Sequence, residues 1–111
     1  MIVLALSLMV QEPGPTGRHI ECLTTNMAQF EASGEAPQDI AVAALTTCRS
    51  SESKMDTGAL ANLSPEQRDD LRDFLRETMR ERIVTHVVRL RACRKTAGCR
   101  VTDLPAPFGP L

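Results

Sequence analysis

The chain has 111 residues, of which 42% are hydrophobic and 24% charged, with a formal net charge of −1. That is room for one domain with a modest core, and it excludes both disorder by composition and a global field that would draw in DNA or anionic lipid. Three Phe and no Tyr or Trp disfavour base-stacking nucleic-acid modules and all-β folds, which draw on aromatic residues.

Residues 1–14 open with the apolar run "MIVLALSLMV", broken by "QEPGP". A helix needs roughly twenty apolar residues to cross a bilayer, so no stable membrane span is expected. The run has the length of the apolar region of an export signal. It lacks a basic residue ahead of it, and Ala5-Leu6-Ser7 stands too early for a cleavage site. The expectation is a signal-like leader, a start lying further upstream being one explanation for the missing basic residue; the alternative is a buried N-terminal helix or strand.

From residue 15 to 111 a single small helical domain is expected. In "RHIECLTTNMAQFEASG", Ile20, Leu23, Met27 and Phe30 recur at three- and four-residue steps, one face of a helix. Gly34 is placed to end it in the left-handed conformation, and Pro37 suits the first turn of the next helix. There Ile40, Ala41, Ala44, Leu45 and Cys48 form a second apolar stripe. Two helices with a short connection pack antiparallel. Pairing them about a centre near Glu35 sets Phe30 opposite Ile40, Met27 opposite Ala43 and Cys22 level with Cys48. A disulfide there would staple the open end of a hairpin spanning about 17–50, stabilising it by roughly 3 kcal/mol in the chain-entropy model. On a helical wheel Cys22 lies about a third of a turn off its stripe, so the bond requires the first helix to be rolled or irregular near its start.

"SSESKMDTG" reads as a polar linker. A long amphipathic helix is expected over about 65–96. Ser64 is its N-cap, Pro65 fits the first position, Gln67 completes a capping box, and Gly98 is a candidate C-cap. Its apolar stripe is Leu71, Phe74, Leu75, Met79, Ile83, Val87 and Leu90, widened by Val84 and Val88. The hairpin arms are about half as long, so the C-terminal tail or a second copy must cover the remainder; a homodimer through this helix is one expectation. Arg68, Arg72, Arg76 and Arg80 step by four beside Asp69, Asp73, Glu77 and Glu81. Opposite charges then meet at i, i+3 on a solvated face. Acid–base work by such carboxylates would need an apolar pocket to raise a pKa.

Beyond residue 81 the charge becomes one-sided. Arg82, Arg89, Arg91, Arg94, Lys95 and Arg100 have no acidic residue among them, whereas the hairpin carries Glu21, Glu31, Glu35 and Asp39. The basic end complements the helix dipole and the hairpin, or forms a docking patch for an acidic partner. Cys93 and Cys99 enclose five residues, and a bond there would lock the helix end. Four cysteines permit three connectivities; Cys22–Cys48 with Cys93–Cys99 comes first, and bonds crossing from hairpin to long helix come second. The spacings fit neither paired zinc ligands nor a C-x-x-C redox site, although His19 and Cys22 stand at i, i+3. His86 falls on the apolar stripe and reads as a core histidine with one hydrogen bond; His19 reads as exposed. The Pro-rich tail 103–111 offers Leu104 and Phe108 to fold back on the core.

No nucleophile–base motif, phosphate loop or cofactor signature is present. The sequence therefore points to an all-α, disulfide-stapled protein with no enzymatic activity and no cofactor, exported to the periplasm or secreted. Arg in excess of Lys suits a GC-rich bacterial genome. Such a protein would act by binding an unknown protein partner, in an interaction, inhibitor or chaperone-like role. The alternative is a cytosolic regulator that binds nucleic acid through the basic helix end or a metal through the cysteines, with nucleic acid disfavoured by the missing aromatics.

Overall fold

The computed structural model describes residues 14–55 and 60–109. Apart from Gly14, the leader lies outside the described residues, as do the last two residues of the tail. The described residues form four α-helices and no strand: α1 (Pro15–Ala32), α2 (Pro37–Thr47), α3 (Arg49–Lys54) and α4 (Pro65–Arg94), followed by a 3-10 turn at Val101–Asp103. The all-α hairpin with a long third arm is thus observed.

Local chemistry sets the boundaries. Proline stands in the first turn of α1, α2 and α4, where its missing N–H removes no helical bond. At the end of α1, Gly34 has φ +81° and its N–H donates to the Glu31 carbonyl at 3.1 Å, a left-handed stop that a Cβ would oppose. Ser64 caps α4 through the full capping box: Gln67 N donates to Ser64 Oγ, and Ser64 N donates to Gln67 Oε1, each at 3.2 Å. At the other end α4 stops at Arg94 with Lys95 as cap, not at Gly98. Gly98, at φ +82°, instead turns the loop that returns the chain to Cys99.

α2 is the middle helix and packs on both α1 and α4. Its expected stripe is buried throughout: Ile40, Ala41, Ala44, Leu45 and Cys48 meet Leu23 and Met27 of α1, Ile83 and Val87 of α4, and Phe108 of the tail. The alanines let α2 approach its neighbours closely, and the larger side chains fill the space on either side.

Cys22 and Cys48 are joined, with Cα atoms 5.9 Å apart. Of the two expected departures, the first helix is rolled and not irregular: α1 runs unbroken through Cys22 with His19, Leu23, Met27 and Glu31 turned inward, and a break falls on the other arm. Cys48 lies between α2 and α3 at φ −94°, ψ 15°, so the chain bends at the cysteine and brings its sulfur to the edge of α1. Asn26, one turn beyond Cys22, donates to the Cys22 carbonyl at 2.8 Å and lies 3.5 Å from both sulfurs. Cys93 and Cys99 form the second bond. The crossed connectivities are excluded, and with no free thiol the cysteines offer no thiolate to a metal.

Three further expectations are corrected. The first part of the polar linker is the helix α3, which packs on α1 and buries Glu52. His19 is 3% exposed, because α1 turns His19, Leu23, Met27 and Glu31 inward and leaves Ile20 and Phe30 partly covered at the edge. On α4 the core contact belongs to the C-terminal half: Ile83, Val87, Leu90 and Cys93 are buried, whereas Leu71, Leu75 and Met79 are half-buried. Phe74 at 65% and Val88 at 51% exposure face away from the core. The expected stripe combined two faces of the helix, and packing chose between them.

Candidate functional site

Among the described residues three buried polar side chains, His19, Glu31 and Glu52, organise two polar centres. Glu31, at the end of α1, accepts from Arg94 and lies 3.7 Å from Arg91 Nε, and Arg91 Nη2 donates to its backbone carbonyl at 3.4 Å. Two of the six basic residues singled out in the sequence are therefore engaged inside the molecule. They tie α1 to the end of α4 and satisfy a carboxylate that would otherwise be buried alone.

The second centre joins α1, α3 and α4. Arg76 donates to both carboxylate oxygens of Glu52, and this bond raises the Arg76 pKa further above its ordinary value. The arginine row is thus not wholly outward: Arg76 reaches α3, while the expected i, i+3 pairs persist beside it as Asp69–Arg72 at 3.2 Å, Asp73–Arg76 at 3.9 Å and Glu77–Arg80 at 3.6 Å. Next to this pair the Ser51 hydroxyl donates to the Cys48 carbonyl at 2.8 Å and lies 2.8 Å from His19 Nδ1. Because the hydroxyl has committed its one proton to Cys48, His19 Nδ1 carries a proton and donates to Ser51. Burial lowers the His19 pKa, and the nearby Glu52 charge opposes that in part.

A hydroxyl, an imidazole and a carboxylate so close together raise the question of nucleophilic catalysis. The surroundings argue against it. The cavity beside His19 and Glu52, walled by Met55, Leu60, Leu75 and Met79, measures about 20 Å³, which is space for a water and not for a substrate. The carboxylate is held by Arg76, and the hydroxyl faces a backbone carbonyl of the disulfide joint. The arrangement fastens α3 to α1 and α4.

The remaining basic residues lie elsewhere. Lys95 and Arg100 are exposed at the end of α4. Arg82 and Arg89 line a cleft of about 380 Å³ between α4 and the tail, together with Thr85, His86, Pro105 and Pro107, and with Glu81 as its one acidic residue among the described residues. Arg82, His86 and Arg89 are four and three residues apart, so one helix face presents all three along one wall. Opposite them the tail is pinned by Phe108, which is buried in the core. A second hollow of about 310 Å³ adjoins the cleft, lined by Met27, Ala28, Leu90 and Val101 and sharing His86 and Pro107 with it. The two form a groove that is basic at one end and mainly apolar at the other.

His86 is therefore a groove residue and not a core one. Burial, with the Arg89 charge next, lowers its pKa, while Glu31 opposes the shift. It is neutral near pH 7 and gains charge as the medium acidifies. Among the described residues no group of three or more potential ligands is placed to hold a metal ion, and no helix is long and apolar enough to cross a membrane. No family model matches the chain, and no curated protein or solved structure matches it either.

Proposed function

We propose that this chain is a small exported helical protein, held by two disulfides, that works by binding another macromolecule and not by catalysis. The groove between α4 and the tail carries this reading. It sets the cations Arg82 and Arg89, with His86 between them, beside the apolar surface of Met27, Leu90 and Val101. That combination fits an extended protein segment with acidic residues at one end and apolar residues at the other. It is a poor match to single-stranded nucleic acid, which would need aromatic platforms beside the charges.

The paired cysteines support the compartment. Disulfides persist in the periplasm or outside the cell and are rare in a reducing cytosol, and the leader over 1–14 is proposed as the export signal. Removing the Cys93–Cys99 bond would free the chain end that the groove depends on, since it sets the direction in which the tail leaves α4.

A fluorescent peptide with Glu residues at one end and Leu residues at the other is a direct probe. It is expected to bind at low salt and to lose roughly tenfold or more in affinity on joint R82E and R89E substitution, the range for reversed interfacial charges. Binding is expected to tighten on going from about pH 7.5 to about pH 5.5, as His86 gains its proton while the peptide carboxylates stay ionised. No binding at low salt overturns the binding reading. Cell fractionation with thiol alkylation tests the compartment, and free thiols in cytosolic material overturn export.

A further inference from the structure

α4 has a second seam that the fold covers only in part: Phe74, Glu81, Thr85 and Val88 are exposed, and Leu71 and Thr78 are half-buried. Leu71, Phe74, Thr78, Glu81, Thr85 and Val88 alternate at three- and four-residue spacing, the repeat of a coiled-coil face. The seam lies away from Ile83, Val87 and Leu90, which pack on the hairpin. It carries the two most exposed large apolar side chains of the helix, Phe74 and Val88, two heptads apart.

The charges beside this seam are divided along the helix. Before residue 82 stand Glu66, Asp69, Asp70, Asp73, Glu77 and Glu81, interleaved with arginines; from Arg82 to Lys95 there are only cations. A parallel copy would set like charge against like. An antiparallel copy sets the acidic half of each helix on the basic half of the other.

From this we infer that α4 pairs with α4 of a second copy of this chain, antiparallel about a two-fold axis. The register that joins the seams places Leu71 against Val88 of the second copy, Phe74 against Thr85, and Thr78 against Glu81, each contact occurring twice by symmetry. On the flank it brings Glu66 near Lys95. Glu81 is the polar residue of the seam: it specifies this register and weakens the pair, as a single polar core position does in coiled coils. The seam shares Glu81 and Thr85 with the wall of the groove; the mass of the free chain tests the pairing without any peptide, and a monomeric protein could still bind the acidic peptide.

Sedimentation equilibrium of the full chain at low salt tests it. The mass is expected to rise from 12.2 kDa toward twice that between micromolar and near-millimolar concentration, and to fall back as salt is added. E81L is expected to tighten the dimer roughly tenfold or more by removing the polar residue from the seam. The double substitution F74D and V88D is expected to abolish the dimer with the helical circular dichroism unchanged, because both positions are exposed. A chain that stays at 12.2 kDa even with E81L overturns the inference, whatever else covers Phe74. So does a dimer that F74D and V88D leave intact.

Discussion

The two halves of α4 share one capped, unbroken helix and differ in almost everything else. The C-terminal half buries Ile83 and Val87 in the core with α2 and the tail, buries Leu90 beside α1, and gives its cations to Glu31 and the groove. The N-terminal half keeps Phe74 in solvent, pairs its charges along its own surface at i, i+3, and reaches the rest of the fold mainly through Arg76 and the half-buried Leu71, Leu75 and Met79. Helix formation therefore does not require burial along its length. Capping and surface ion pairs extend the helix past its core, and packing energy is concentrated where the hairpin and tail meet it.

Substitutions can break that contrast directly. Ile83→Ala is expected to cost about 3 kcal/mol, by loss of burial plus the cavity left in a packed core. Phe74→Ala, in the other half, should fall within about 0.5 kcal/mol of wild type in dilute solution. Chemical denaturation of both variants measures the difference, and equal costs would mean that the two halves are packed alike.

A smaller effect separates the two kinds of ion pair. Glu52→Ala removes a buried carboxylate linking α3 to α4, but its partner Arg76 is 40% exposed and can regain water. A cost of about 1–2 kcal/mol is expected, below the range for a fully buried pair. Asp69→Ala breaks only an exposed pair within α4 and should cost a few tenths of a kcal/mol, roughly the worth of a surface i, i+3 contact. The ratio of the two in thermal melts sharpens the comparison.

The gentlest probe is pH. Burial lowers the pKa of His19, beside the N-terminal half of α4, and of His86, in the C-terminal half, below the ordinary value of 6.5. The unfolded chain then takes up protons at a higher pH than the folded one. Stability from these groups is complete above 6.5 and declines as the pH falls below it. His19 is the more deeply enclosed, among Ser51 and Glu52 of α3 and Arg72 and Arg76 of α4. His19→Gln is therefore expected to flatten the fall in melting temperature between about pH 7 and about pH 5 more than His86→Gln.

Much of the fold was legible in short stretches of sequence. Ser64 with Gln67, Pro37 and Gly34 act on backbone groups within four residues, so their effect can be read without knowing the tertiary structure. The Cys22–Cys48 pairing follows from two antiparallel helices set about one short turn. The groove was legible only in part: the basic run was visible, but nothing local separates Arg91 and Arg94, which face Glu31, from Arg82 and Arg89, which face the tail.

By itself the sequence determined where α1 ends, where α2 and α4 begin and which cysteines lie within reach of one another, because caps, proline and short loops act through nearest neighbours. Tertiary structure alone decided that Glu31, Glu52 and His19 go inside and that Phe74 stays outside. Those fates depend on groups far away in the chain, Glu31 on Arg94, Glu52 on Arg76 and His19 on Ser51, and a buried charge is tolerable only once the fold has delivered its partner.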